Sequence, residues 1–145
     1  MTYIVIGGLG RVLQGTDELT HGVDVVPAMR EENLRRLDVA LEELKARRRG
    51  GKKTLALADV DVLDLETELG ELKIVPKPAG TRGYDDLRRA ASREHLGSGV
   101  RVAIASVGDL ARMTAALGRE QDQPALRMLH RIAEIDRSLG HGLEL

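Results

Sequence analysis

The segment Ile6-Gly7-Gly8, followed by Gly22-Val23-Asp24-Val25, decides how the chain is read. Thr2 to Ile6 are β-branched and aromatic residues suited to a strand, and Gly7-Gly8 let the backbone turn sharply with no Cβ in the way. Leu9 to Gln14 then predict a short helix stopped by Gly15, and Val23, Val25 and Val26 predict a second strand. Side chains alternate along a strand, so positions 22 and 24 share one face. Two carboxylates there would hold a divalent cation against a triphosphate, since Mg²⁺ takes a few carboxylate oxygens together with substrate phosphates. Only Asp24 is acidic.

Further fragments follow in order: Thr67-Glu68-Leu69-Gly70-Glu71-Leu72-Lys73-Ile74-Val75, Gly83-Tyr84-Asp85-Asp86-Leu87, Ser106-Val107-Gly108-Asp109-Leu110, Met113-Thr114 and Gly118-Arg119-Glu120-Gln121-Asp122. Together with the opening segment they resemble the DNA polymerase β-like nucleotidyltransferase superfamily, in particular its minimal nucleotidyltransferases and abortive-infection toxin-type members. The resemblance runs over residues 3 to 130. It implies an α/β (α+β) fold in which a mixed sheet carries flanking helices, and a setting in a bacterial toxin–antitoxin or defence system.

The departures from the family pattern fall on its chemistry. Gly22 stands at the first catalytic acid, Lys73 at the third and Thr114 at the lysine of the Met-Lys pair. The three acid positions therefore sum to zero, with Gly22 neutral, Asp24 at −1 and Lys73 at +1. A hard dication needs anionic oxygen and is repelled by an ammonium. The expected function is that of a catalytically degenerate nucleotidyltransferase-fold protein, acting by binding a nucleotide, a nucleic acid such as RNA, or a protein partner. Its site residues are Gly7, Gly8 and Lys73 for nucleotide and Asp24 as residual catalytic group, the one candidate metal ligand, with Mg²⁺ as cofactor if the protein is active. The enzymatic alternative rebuilds a metal site from Asp24 with Asp64 or Glu66 and uses His21 as a base. A third reading is a structural subunit with a vestigial pocket.

Each of these residues also has a plain structural reading. Gly7-Gly8 either cradle a phosphate with backbone N–H groups or make only a tight turn, and Asp24 is a ligand, a base or simply an acid at a strand end. A hairpin around Leu69-Gly70 places Glu66 opposite Lys73, so Lys73 is either half of a cross-strand ion pair or an ammonium that replaces the metal. The cations Lys45, Arg47, Arg48, Arg49, Lys52 and Lys53 complement a helix C-terminus or contact a nucleic-acid backbone. Arg119 and Asp122 are family residues or an exposed pair with a helix cap. Of the four histidines, His21, His95, His130 and His141, only His21 falls beside the expected pocket, and their spacing suits no zinc site.

The remaining pattern predicts a helix from Arg30 to Arg49 on Leu34, Leu37, Leu41 and Leu44, stopped by Gly50-Gly51. Strands are expected at Thr54 to Ala58, Val62 to Thr67, Glu71 to Val75 and Val100 to Ala105, with helices from Tyr84 to Leu96, from Ser106 to Leu117 with a capping-box-like start at Ser106 and Asp109, and after Asp122. With 145 residues, the chain is read as one domain, 1–145. A net charge of −1 creates no global field toward nucleic acid or membrane, and the absence of cysteine excludes disulfides and thiolate metal sites. With neither Phe nor Trp, and only Tyr3 and Tyr84, platforms for stacking bases are scarce. The opening Met1 to Gly7 has neither a basic n-region nor a full apolar h-region, and no run approaches 18 apolar residues, so a cytoplasmic protein is the expectation. Family members carry a helix before the first strand, whereas this chain opens on the strand. That difference predicts a homo-oligomer or a protein partner covering the sheet.

Overall fold

The computed structural model describes residues 1–48 and 62–143, with side chains to residue 139. Its centre is the apolar run Ile4-Val5-Ile6 of strand β1 (Tyr3–Ile6), which leads into helix α1 (Gly7–Gln14) and returns antiparallel as β2 (Gly22–Pro27). All three residues of the run are buried, because both faces of this central strand are covered. Val5 joins Val25, Leu37 and Leu41 on one face, under α2 (Glu31–Glu43). Ile4, Ile6 and Val26 meet Leu110, Met113 and Leu129 on the other, under α4 (Val107–Leu117) and α5 (Gln123–Leu143).

Among the described residues the sheet has seven strands in the order β3-β4-β5-β2-β1-β7-β6. Strands β3 (Arg47–Arg48), β4 (Leu63–Thr67) and β5 (Gly70–Ile74) lie on the β2 side, and β6 (Ser92–His95) and β7 (Arg101–Ile104) on the β1 side. β1/β7 and β2/β5 run parallel and the other pairs antiparallel, so the sheet is mixed, as the sequence led one to expect. Ser106 caps α4 by accepting from the Asp109 backbone N–H at 3.0 Å, also as expected.

Three expectations are corrected. The helix predicted to reach Arg49 ends at Glu43, where a Schellman turn closes it: the Lys45 N–H donates to the Glu42 carbonyl and the Ala46 N–H to that of Leu41, with Lys45 at φ 51°. Arg47 and Arg48 therefore leave the helix and pair with Glu66 and Leu65 at the sheet edge. The predicted stop at Gly50-Gly51, the strand at Thr54 to Ala58 and the cations Arg49, Lys52 and Lys53 lie outside the described residues.

The helix predicted from Tyr84 to Leu96 is one turn, α3 (Tyr84–Leu87), followed by β6. Gly97, Ser98 and Gly99 all take positive φ and fold β6 back onto β7, whose open edge outweighs the helical preference of Ala90-Ala91.

The hairpin turns on Glu68-Leu69, not Leu69-Gly70, so Asp64 and not Glu66 lies opposite Lys73. The Thr67 hydroxyl sets this register by accepting from the Leu69 N–H at 3.1 Å and donating to the Gly70 carbonyl at 2.8 Å. Gly70 takes φ +132° with open space where a Cβ would stand. Gly70→Ala is therefore expected to destabilise the protein by about 1–2 kcal/mol through backbone strain alone, while Leu69→Asn stays near neutral. Urea unfolding of the two variants checks this, and equal midpoints would refute the register.

Candidate functional site

The site is built at the C-terminal end of β1. As β1 passes into α1, Gly7 adopts φ +65°, and a Cβ there would collide with the Asp24 carboxylate, 2.9 Å from Cγ. Glycine is thus required both by the dihedral and by the closeness of Asp24. Gly8 faces Thr20, whose Oγ1 would stand 2.9 Å from a Cβ. Gly10 lets the helix close on β1 and α4, with the Val5 carbonyl and Leu110 within 3.3 Å of where its Cβ would be.

Strand register places the next groups. Ile6 pairs with Asp24, Asp24 with Lys73 and Lys73 with Asp64, so one row crosses β1, β2, β5 and β4. This row lies on the α4 face, where Gly22 and Val26 also point. The adjacent row holds Gly22, Glu71, Glu66 and Arg47. A Cβ on Gly22 would stand only 3.0 Å from the Glu71 carbonyl oxygen, so a side chain there requires β5 to shift.

Asp24 and Lys73 open into a cavity of about 240 Å³. Gly7, Gly8, Arg11 and Arg119 complete its polar wall, and Val75, Pro78, Met113 and Leu117 are among its apolar lining. Thr114 also lines it, but its hydroxyl donates to the Leu110 carbonyl at 2.7 Å, a helix back-bond.

Arg11 is the residue that sequence reasoning missed. It and Asp122 are each 7% exposed, and Arg11 holds Glu18 in a fork, Nε at 3.0 Å and Nη2 at 2.7 Å. Thr16 donates to Glu18 at 2.8 Å, and Asp122 stands 3.9 Å from Arg11 while accepting from Arg119 Nε at 2.6 Å. The expected exposed Arg119–Asp122 pair thus has its carboxylate inside the protein, where it bridges two guanidinium groups. Arg11 as the one charged residue of helix Gly7–Gln14 was the available signal, since such a charge needs a partner when buried.

Burial works against both charges of the Arg11–Glu18 pair. For Arg11 the hydrogen bond and charge of Glu18 outweigh it and raise its pKa, and for Glu18 the bonds from Arg11 and Thr16 hold the carboxyl below its usual range. Asp24 goes the other way. Burial pushes it above the ordinary aspartate value against the pull of Lys73, Arg11 and Arg119, and Asp64 adds to the rise.

These residues do not suit Mg²⁺. Among the described residues no three acids or histidines cluster as metal ligands, and the Lys73 ammonium stands in the row between Asp24 and Asp64. Glu66 falls in the neighbouring row opposite Glu71. His21 is exposed and is not among the residues lining the cavity, contrary to expectation.

No protein-family model and no curated protein sequence matches the chain. A solved structure does: the lincosamide antibiotic adenylyltransferase LnuA with lincomycin bound, at TM-score 0.59 and 17% identity, with 90% of this chain and 87% of that one covered. The chain therefore has a nucleotidyltransferase-like fold.

Asp24, whose folded pKa is raised, lowers stability at neutral pH. The deficit is complete above its folded pKa and disappears as pH falls toward the unfolded value of about 3.9. Asp24→Asn is thus expected to raise Tm at pH 7, with the gain fading in acid. Glu18 is the reverse case: its stabilisation is present above about pH 4.3 and is lost as pH falls through its lowered folded value. Glu18→Gln should accordingly lower Tm at pH 7 and less so in acid. Calorimetric Tm measured from pH 3 to 8 checks both signs.

Proposed function

We propose that this protein is a binding member of the nucleotidyltransferase fold, taking the phosphates of a nucleotide at Gly7-Gly8 and Lys73 without efficient nucleotidyl transfer. The reading is carried by the row Asp24–Lys73–Asp64, in which an ammonium stands between the two carboxylates that a metal would have to bridge. A covalently attached cation there supplies positive charge to a phosphate with no metal ion. The start of α1 adds backbone N–H groups and the positive end of the helix dipole. The apolar wall of Val75, Pro78, Met113 and Leu117 gives the rest of a ligand a place free of charge. In the toxin–antitoxin or defence setting that the motif resemblance implies, such a protein acts by occupancy rather than turnover, on a free nucleotide, an RNA or a protein partner. The enzymatic reading draws on Asp24 with Asp64 alone, since Glu66 and His21 lie elsewhere.

Calorimetric titration with ATP, CTP, GTP and UTP, in EDTA and in Mg²⁺, tests this directly. Binding is expected in EDTA, unchanged within about threefold by Mg²⁺. It should weaken about 10- to 150-fold in Lys73→Ala, the range for one charge-assisted hydrogen bond. Mg²⁺-dependent binding that Asp24→Ala abolishes, or transfer of a labelled nucleotidyl group to a component of a cell extract, would overturn the proposal in favour of an enzyme.

A further inference from the structure

A second cavity lies at the opposite end of β1, where the strand begins. It measures about 190 Å³ and its walls include Tyr3, Tyr84, Arg93, Arg101 and Ala103. Of the chain's two tyrosines, Tyr84 stands on this face beside the two arginines, while the side chain of Tyr3 turns to the α2 face and packs against the cluster of Val5 and Leu37. Neither tyrosine is near the Asp24 cavity in its lining.

Register accounts for the charge. In the β6/β7 hairpin Arg93 pairs with Ala103 and His95 with Arg101, so alternation puts Arg93, His95 and Arg101 on one face and Glu94 on the other. The small Ala103 between the two arginines leaves the space that Tyr84 borders from α3. Asn33 fixes the adjoining end of β1, accepting from the Thr2 N–H at 2.6 Å and donating to the Thr2 carbonyl at 2.8 Å. Among the described residues neither Arg93 nor Arg101 is in an ion pair, unlike Arg11, Arg112 and Arg119. Charges on an edge strand discourage sheet-to-sheet association. That explains Arg93 and His95 on β6, but not Arg101 on the inner strand or the convergence with Tyr84.

We infer that this cavity binds a nucleotide unit of a single-stranded nucleic acid, with the base against a tyrosine ring and the flanking phosphates on Arg93 and Arg101. A half-buried ring, here Tyr84, beside exposed guanidinium groups is the combination that single-strand sites use, because every base offers a π-face and every linkage an anion. The site is independent of the Asp24 cavity and needs no metal.

Tyr3 emits from the other face of the sheet, so anisotropy of a fluorescein-labelled strand is the readout. Titration in EDTA at low salt with a labelled single-stranded oligouridylate of about 12 nucleotides, within the usual site sizes, is expected to raise it. Tyr84→Ala should weaken binding about 5- to 150-fold and Tyr84→Phe should leave it within about twofold. Two phosphate contacts give a log–log salt slope near −1.4, and Arg93→Ala should reduce its magnitude by about 0.7. If circular dichroism shows that Tyr84→Ala does not fold, the exposed pair Arg93→Ala/Arg101→Ala decides, with at least a tenfold loss expected. No rise in anisotropy, equal competition by polyglutamate, equal binding by the folded double-arginine variant, or equal competition by uridine monophosphate at the same concentration as the strand would each overturn the assignment. Because none of Tyr84, Arg93 and Arg101 lines the Asp24 cavity, failure here and failure of nucleotide binding at Lys73 are read separately.

Discussion

The pairing of β2 with β1 on one side and β5 on the other determines most of what this protein can do. It places Asp24 beside Ile6, under the turn at Gly7, and next to Lys73. The carboxyl is held where burial opposes its charge, and three cations compensate only in part. A side chain so placed lowers stability, and groups of that kind concentrate at sites that bind or react. The same pairing presses Gly22 against the β5 backbone, so the missing acid is a packing feature as well as an absent charge.

Around that centre, the buried polar network fixes the cations. Glu18 and Asp122 hold Arg11 and Arg119 from behind, leaving the cavity-facing side of each guanidinium to meet Asp24 or a ligand. Two cavities at opposite ends of β1 follow: one with charges, glycines and apolar side chains, the other with two arginines and the Tyr84 ring. They share a sheet but no lining residue.

The β1–α1–β2 unit was legible because its signals are local. An apolar run, a glycine pair, a glycine stop at Gly15 and alternating valines each act within a few residues. The Ser106 cap was legible for the same reason. The segment from Tyr84 to Leu96 was not, since Ala90-Ala91 suits a helix and only the open edge of β7 draws Ser92–His95 into a strand. Leu69-Gly70 looked like the hairpin turn, yet the hydroxyl of Thr67 closes the chain one residue earlier and exchanges Glu66 for Asp64 opposite Lys73. Lys45 in a left-handed conformation ends α2 with no glycine to announce it.

The sequence alone determined that a strand, a glycine turn and a second strand would carry Asp24 on the face of Gly22, and that the acids expected by resemblance at positions 22 and 73 were absent. Those properties depend on residue identity and on the two-residue period of a strand. Only the tertiary structure decided which groups face Asp24. Arg11 reaches it from a helix, Lys73 from a neighbouring strand and Arg119 from the far end of α4. It likewise set Tyr84 beside Arg93 and Arg101 and turned Tyr3 to the opposite face of the sheet. Strand register and helix packing set such distances between residues far apart in the chain, and no local pattern encodes them.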